Sequence, residues 1–132
     1  KIIHNCNIIN LCSSVLSHYS INDSQLNIII TNDEFLRQLK KDFFDVDVYT
    51  DVISFNLEDK GEAIDGEIYI SLERVKENAI EFGISSNSEL KRIIIHGVLH
   101  LIGYDDRTKE EKIIMTDLEN KFLATNSEVR LI

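Results

Sequence analysis

Two histidines, His96 and His100, stand four residues apart in the most apolar run of the chain, Ile93-Ile94-Ile95 through Leu101-Ile102. On a helix, four residues turn the chain by roughly 400°, so both imidazoles leave the same face, one turn apart. Gly103 follows the second histidine by three and suits the left-handed conformation that ends a helix and reverses the chain. The spacing predicts that Asp106, just past that turn, swings under both rings. His96, His100 and Asp106 then present nitrogen and oxygen donors to one side of a divalent ion. A fourth position stays open for water, the ligand pattern of a catalytic zinc site. A carboxylate as third ligand adds negative charge, weakens the ion as a Lewis acid and moves preference toward harder ions such as Mn²⁺.

The order His, His, Gly and third ligand has the spacing of the metzincin signature. Metzincins carry Glu directly after the first His as general base, and this chain has Gly97 there. The metal geometry is kept while the peptidase base is absent, so a base must come from elsewhere. His96-Gly97, His100-Leu101 and Gly103-Tyr104-Asp105 resemble the signature of the YbeY family of bacterial rRNA maturation factors, which reads His-Gly-x-x-His-Leu-x-Gly-Tyr-Asp-His. Asp106 stands where that pattern ends in a third His. Thr50-Asp51-Val52-Ile53-Ser54-Phe55 looks like a second family segment, and Gly66-Glu67-Ile68 like a third, with Glu67 where Asp is usual. The resemblance spans roughly Leu26 to Phe122. It implies a metal-dependent endoribonuclease specific for single-stranded RNA, most simply zinc-dependent, acting in rRNA 3′-end maturation and ribosome quality control. Asp51, Ser54 and Glu67 become candidate catalytic residues, because their segments line the family's cleft. Phe44 falls where the family often has an arginine. If that arginine holds phosphate, the resemblance leaves Arg74, Lys76, Lys91 and Arg92 to bind RNA here. Tyr104 either stacks on an unpaired base or packs over the metal loop.

A chain of 132 residues, 43% hydrophobic, has the size of one domain over 1–132 and can bury a core without disulfides. The net charge of −9 argues weakly against nucleic-acid binding, since phosphate contacts need Lys and Arg, but leaves room for a local basic groove. Cys6 and Cys12 lie outside any metal or redox spacing and read as free thiols of a reducing compartment. No run approaches the ~20 apolar residues of a membrane span, and no signal-peptide pattern is visible, so the expected location is cytoplasmic with no membrane contact.

The elements that must position the site follow from periodicity. Lys1-Ile2-Ile3 reads as a short edge strand, residues 7–19 as an amphipathic helix, and Asn22-Asp23 as a turn. Leu26 to Ile30 reads as a strand. Thr31 with Glu34 makes a capping-box pattern for a helix with Phe35, Leu36, Leu39 and Phe43 inward. Strands follow at Asp51 to Asn56 and Gly66 to Ile70, joined by a charged loop over 57–65 that contains Gly61. Ser71 caps a helix carrying Leu72, Val75, Ala79 and Phe82 and closed by Gly83. Ser86 with Glu89 opens the histidine helix, which is apolar nearly all round and therefore central. Thr108 with Glu111 caps a last helix with Ile113, Ile114, Leu118 and Phe122 inward, and residues 125–132 carry no clear signal. The order reads as α+β or α/β. The resemblance implies a small mixed four-stranded sheet packed with helices, with the metal helix on one face as in zincins. Against the endoribonuclease stand two other readings: a non-catalytic ribosome-assembly module whose ion is structural, and a metallopeptidase, which would also need an edge strand beside the metal to hold extended peptide.

Overall fold

A computed structural model describes residues 3–21, 23–57 and 64–132. The order of elements is α1 (Asn5–His18), β1 (Ser24–Thr31), α2 (Asp33–Phe44), β2 (Val52–Asn56), β3 (Ile64–Ser71), α3 (Leu72–Phe82), α4 (Ser86–Ile102) and α5 (Lys109–Thr125). The all-round apolar run becomes α4, which packs against α1, α3, α5, β2 and β3. Leu90, Ile94, Ile95, Val98 and Leu99 of α4 are fully buried. A helix in this position must be apolar on almost every face.

The sheet is mixed, as expected, and its order is β1-β3-β2, with β1 parallel and β2 antiparallel to the central β3. It has three strands among the described residues, not four. The fourth had been expected at 1–3: Lys1 and Ile2 lie outside the described residues, and Ile3 is not in a strand. Asn22 and the loop around Gly61 also lie outside them. β3 alternates cleanly. Ile64, Gly66, Ile68 and Ile70 are buried, whereas Asp65, Glu67 and Tyr69 point to the opposite face. The buried face carries α4. α2 lies against the other, where Phe35 stacks on Tyr69 and Phe44 on Phe55.

The approach of α4 to the sheet is close. A Cβ on Gly66 would stand 2.6 Å from Leu101 Cδ1, and one on Gly97 would stand 3.0 Å from two carbons of Ile68. Ser54 and Asn56 of β2 donate side-chain hydrogen bonds to the Gly97 and Leu101 carbonyls, both at 3.4 Å. Edge strand β2 is therefore tied to the half of α4 that bears the histidines.

Ser71 and Gly83 cap α3 as read from the sequence, and Thr108 with Glu111 forms a complete capping box on α5. Two caps differ. Asn32, a stronger N-cap than Thr31, accepts from Phe35 N and starts α2. Ser85 instead of Ser86 caps α4, and Glu89 is drawn into the interior. Some helix faces also differ. α5 buries Met115, Glu119 and Phe122, with Leu118 half-buried between them, which is an i, i+4, i+7 face. Ile113 and Ile114 fall outside this stripe and are about half exposed. Phe82 at the end of α3, and Phe35 and Phe43 of α2, are likewise exposed, the last two with one side of the ring against Tyr69 and Phe55 of the sheet. Residues 125–132, silent in sequence, are pinned to the core: Leu131 is fully buried, its N–H donates to the Asn87 side chain and its carbonyl accepts from His4.

Candidate metal centre

α4 ends at Gly103, whose φ of 125° is a conformation side-chain-bearing residues rarely adopt. Its N–H donates to the carbonyls of Leu99 and His100, and the N–H of Tyr104 donates to Leu99. The chain is thus turned back beneath the histidines. Asp106 Oδ2 lies 3.4 Å from His96 Nε2, Asp106 Oδ1 lies 3.6 Å from His100 Nε2, and the two Nε2 atoms are 3.0 Å apart. Donors bonded to one tetrahedral zinc at about 2.0–2.1 Å stand about 3.3 Å from one another. The His–His distance and the two His–carboxylate distances, one to each Asp106 oxygen, bracket that edge, so the donor set fits a divalent ion. One donor atom from each of the three residues lies within 4.8 Å of the others. All three side chains are partly exposed, so the triad faces solvent on one side.

A residue that the sequence reading missed fixes the first candidate ligand, His96. Glu119 of α5 is buried, with its Oε2 at 2.7 Å from His96 Nδ1. Its other oxygen accepts from Arg92 at 2.9 Å, and Arg92 also donates to Asn120. The carboxylate holds the His96 proton on Nδ1 and leaves the Nε2 lone pair directed at the triad, the usual carboxylate–histidine arrangement behind a metal. Burial alone lowers the His96 pKa, but Glu119, with Asp106 and Asp51, outweighs it and holds the ring above its ordinary value. Glu119 does carry a sequence signal: it is a charged residue on the core stripe of α5.

The triad opens into a cleft of about 560 Å³, walled on the far side by β2 and the end of α2. Asp51 and Ser54 line it beside the histidines. Asp51 accepts from Asn78 at 3.3 Å. Burial pushes the Asp51 carboxyl above its ordinary value, against the pull of backbone N–H groups, His96 and Arg74. Ser54 uses its hydroxyl on the Gly97 carbonyl. Glu67 does not reach the cleft: it lies on the other face of β3, where its carboxylate accepts from the Tyr69 hydroxyl.

The four expected phosphate-binding cations are also elsewhere. Arg74 is paired with Asp33 at 2.9 Å and Glu77 at 3.0 Å. Lys91 is buried, donating to the carbonyls of Asn126 and Ser127 at the end of α5. Arg92 serves Glu119, and Lys76 sits on α3 away from the cleft. The cations that do line the cleft are Lys40 and Arg107. The Tyr104 ring packs on Tyr19 at 5.8 Å, over the core beside the metal turn.

A family model described as Endoribonuclease YbeY matches residues 3–127. The chain belongs to the YbeY family. Among its relatives, the Endoribonuclease YbeY of Flavobacterium psychrophilum is 40% identical over 115 residues, 87% of this chain and 81% of the relative. That of Cytophaga hutchinsonii is 46% identical over 101 residues, 76% of this chain and 70% of the relative. A solution structure of a Thermotoga maritima protein is similar in fold, with a TM-score of 0.64 at 28% identity over 92% of this chain and 83% of that one. The α+β class read from the sequence agrees with this YbeY-like arrangement. Among the described residues no helix is long and apolar enough to cross a membrane.

Proposed function

We propose that the protein is a metal-dependent endoribonuclease that hydrolyses single-stranded RNA, with His96, His100 and Asp106 holding one divalent ion, zinc in the first instance. The observation that carries this reading is the donor triangle facing a cleft that also holds Asp51, Lys40 and Arg107. A divalent ion in that triangle supplies Lewis acidity at a phosphoryl oxygen. The chain supplies the rest. Asp51 is the general base, taking the proton from the attacking water as its oxygen bonds to phosphorus, while the P–O bond to the departing nucleotide breaks and its oxygen takes up a proton from solvent. Its burial suits that task, because a carboxyl held above its ordinary pKa is a better proton acceptor. Lys40 and Arg107 hold the flanking phosphates and offset the charge that gathers on the reacting one. Ser54 spaces β2 from α4 through Gly97 and keeps Asp51 at the wall. By resemblance, the RNA is rRNA and the setting the ribosome in the cytoplasm.

One observation favours a peptidase: β2 is an edge strand beside the triad, the feature that could align an extended peptide. Gly97 opposes it, since the position of the peptidase base is pressed against Ile68 and Ser54. A structural ion is disfavoured by the solvent-facing side of the triad. The deciding experiment is metal analysis of the purified protein together with cleavage of single-stranded RNA, duplex RNA and an unstructured polypeptide. Metal at one equivalent and cleavage of single strands alone, both lost in His100→Ala, is the expected result. Bound metal without cleavage of any substrate supports the structural ion, and peptide cleavage the third reading.

A further inference from the structure

A row of aromatic rings begins at the lip of the cleft and runs across the sheet face away from the metal triad. Phe44, the last residue of α2, lines the cleft. Its ring stacks on Phe55 of β2, centroids 5.9 Å apart and planes 18° apart. Phe43 meets the same Phe55 edge-on at 5.5 Å, and Phe55 meets Tyr69 at 5.9 Å. These rings are not core. Phe43 is 67% exposed and Phe44 is 48% exposed. Lys40, one turn earlier on α2, holds its Nζ 5.0 Å from the Phe44 centroid. Among the described residues Lys40 pairs with no carboxylate, whereas Arg37, Arg74 and Arg92 all do.

An exposed ring backed by a second ring, with an ammonium beside it that no described carboxylate holds, at the mouth of a cleft, is the arrangement that takes unpaired nucleotides. The ring receives the base face and the ammonium the phosphate. Phe82 on α3 is exposed too, but among the described residues no cation stands over its ring, and it does not line the cleft beside the triad. We infer that Phe44 is a base-stacking subsite: an unpaired nucleotide of the RNA stacks on its ring, backed by Phe55, while Lys40 moves from the ring onto that nucleotide's phosphate. The inference rests on the endoribonuclease reading and adds to it the path of the strand, which leaves the metal triad over the end of α2. Every base has a π-face, so the subsite selects unstacked nucleotides and not a sequence. Duplex, whose bases are already stacked, is refused at this point.

The test uses anisotropy of a labelled short single-stranded oligoribonucleotide with non-cleavable linkages, alongside copies carrying one abasic nucleotide at each position in turn. One abasic position should weaken wild-type binding by about thirtyfold, the middle of the range for one base on one aromatic ring. Phe44→Ala should bind the intact strand as weakly as wild type binds that abasic strand, and should no longer distinguish the two. Phe44→Trp should restore the distinction. Zinc affinity, measured by competition with a chromogenic chelator, should be unchanged in both variants. If Phe44→Ala still distinguishes the abasic strand, the subsite is wrong and the endoribonuclease reading stands. If the wild type binds no single-stranded RNA, both fall. If the wild type is a dimer that Phe44→Ala dissociates, the row is a contact between copies and the inference is overturned.

Discussion

His96 and Asp51 face the same cleft and are held in opposite ways. On the α4–α5 wall, both ring nitrogens of His96 are committed, one to Glu119 and the other toward the triad, and Glu119 is itself clamped by Arg92. The supporting carboxylate is buried and the helix beneath it is core. The β2–α2 wall is half exposed. Its carboxyl, Asp51, carries the penalty of burial with an amide as hydrogen-bond partner. Its serine makes a long bond, and its aromatic rings face solvent. An ion must be met by donors fixed to within a fraction of an ångström, whereas a polymer of variable sequence is better met by adaptable contacts. On the proposed function, the first wall is preorganised for coordination and the second is left adjustable for substrate.

Removing a ligand breaks the contrast most severely. His100→Ala should lower zinc affinity by more than the roughly 10- to 100-fold expected for loss of an outer partner, and abolish RNA cleavage. Because His100 is on the partly exposed side of α4, the melting temperature of the metal-free protein should barely move. Chelator competition and thermal melting together check this, and an unchanged affinity would remove His100 from the ligand set. Asp51→Asn acts on the other wall. It should cut turnover by about 10²- to 10⁴-fold, the usual worth of a general base, while zinc affinity stays at the wild-type level.

The same substitution should stabilise the metal-free fold. The folded-state pKa of Asp51 is raised, so the carboxyl contributes its full stability only below its unfolded value of 3.8 and loses it as pH rises through the folded value. The advantage of Asp51→Asn over wild type should therefore be absent at the acid end, grow upward from about pH 4 and then level off. Urea titrations across pH read this directly, and an advantage that shrinks with rising pH would contradict the assignment. The smallest effect is expected behind the metal. Glu119→Ala should lower zinc affinity by about 10- to 100-fold, and Glu119→Gln, which keeps an acceptor for His96 Nδ1, should recover part of it. Equal affinities in all three proteins would show that His96 needs no orienting partner, and the contrast between the walls would lose its first half.

What could be read from the sequence is what short-range geometry determines. His96, His100, Gly103 and Asp106 lie within one helical turn and one reversal, so their spacing alone places their donor atoms together. The Ser71, Gly83 and Thr108 caps are equally local. Glu119 contacts His96 across 23 positions of sequence and becomes visible only when α5 packs on α4. Lys91 and Arg92 were named as RNA ligands because Phe44 stands where the family often has an arginine, and both lie on the histidine helix. On a helix that means they share its buried surroundings, and folding assigns them to a helix end and to Glu119. Lys40 and Arg107, distant from each other in sequence, meet at the cleft because α2 crosses the sheet beside β2. Glu67 was placed correctly on a strand but one residue out of phase with the inner face, and in a strand one residue reverses the side.

Gly97 bears on how this chemistry could have diverged from that of the peptidases that share its ligand spacing. A single codon change from Gly to Glu would supply the residue a peptidase uses at that place. In this chain it would not yield a peptidase. The first carbon of any side chain there would already press on Ile68 at 3.0 Å and on the Ser54 hydroxyl at 3.1 Å, and a glutamate's Cγ and carboxylate must fit beyond it. Ile68, fully buried, and Ser54, whose hydroxyl ties β2 to the Gly97 carbonyl, would both have to give way to make room. The shortest mutational route between the two activities thus passes through a chain strained at a core residue and at the contact that ties β2 to α4. Selection for stability alone would hold the lineage on its side of that divide.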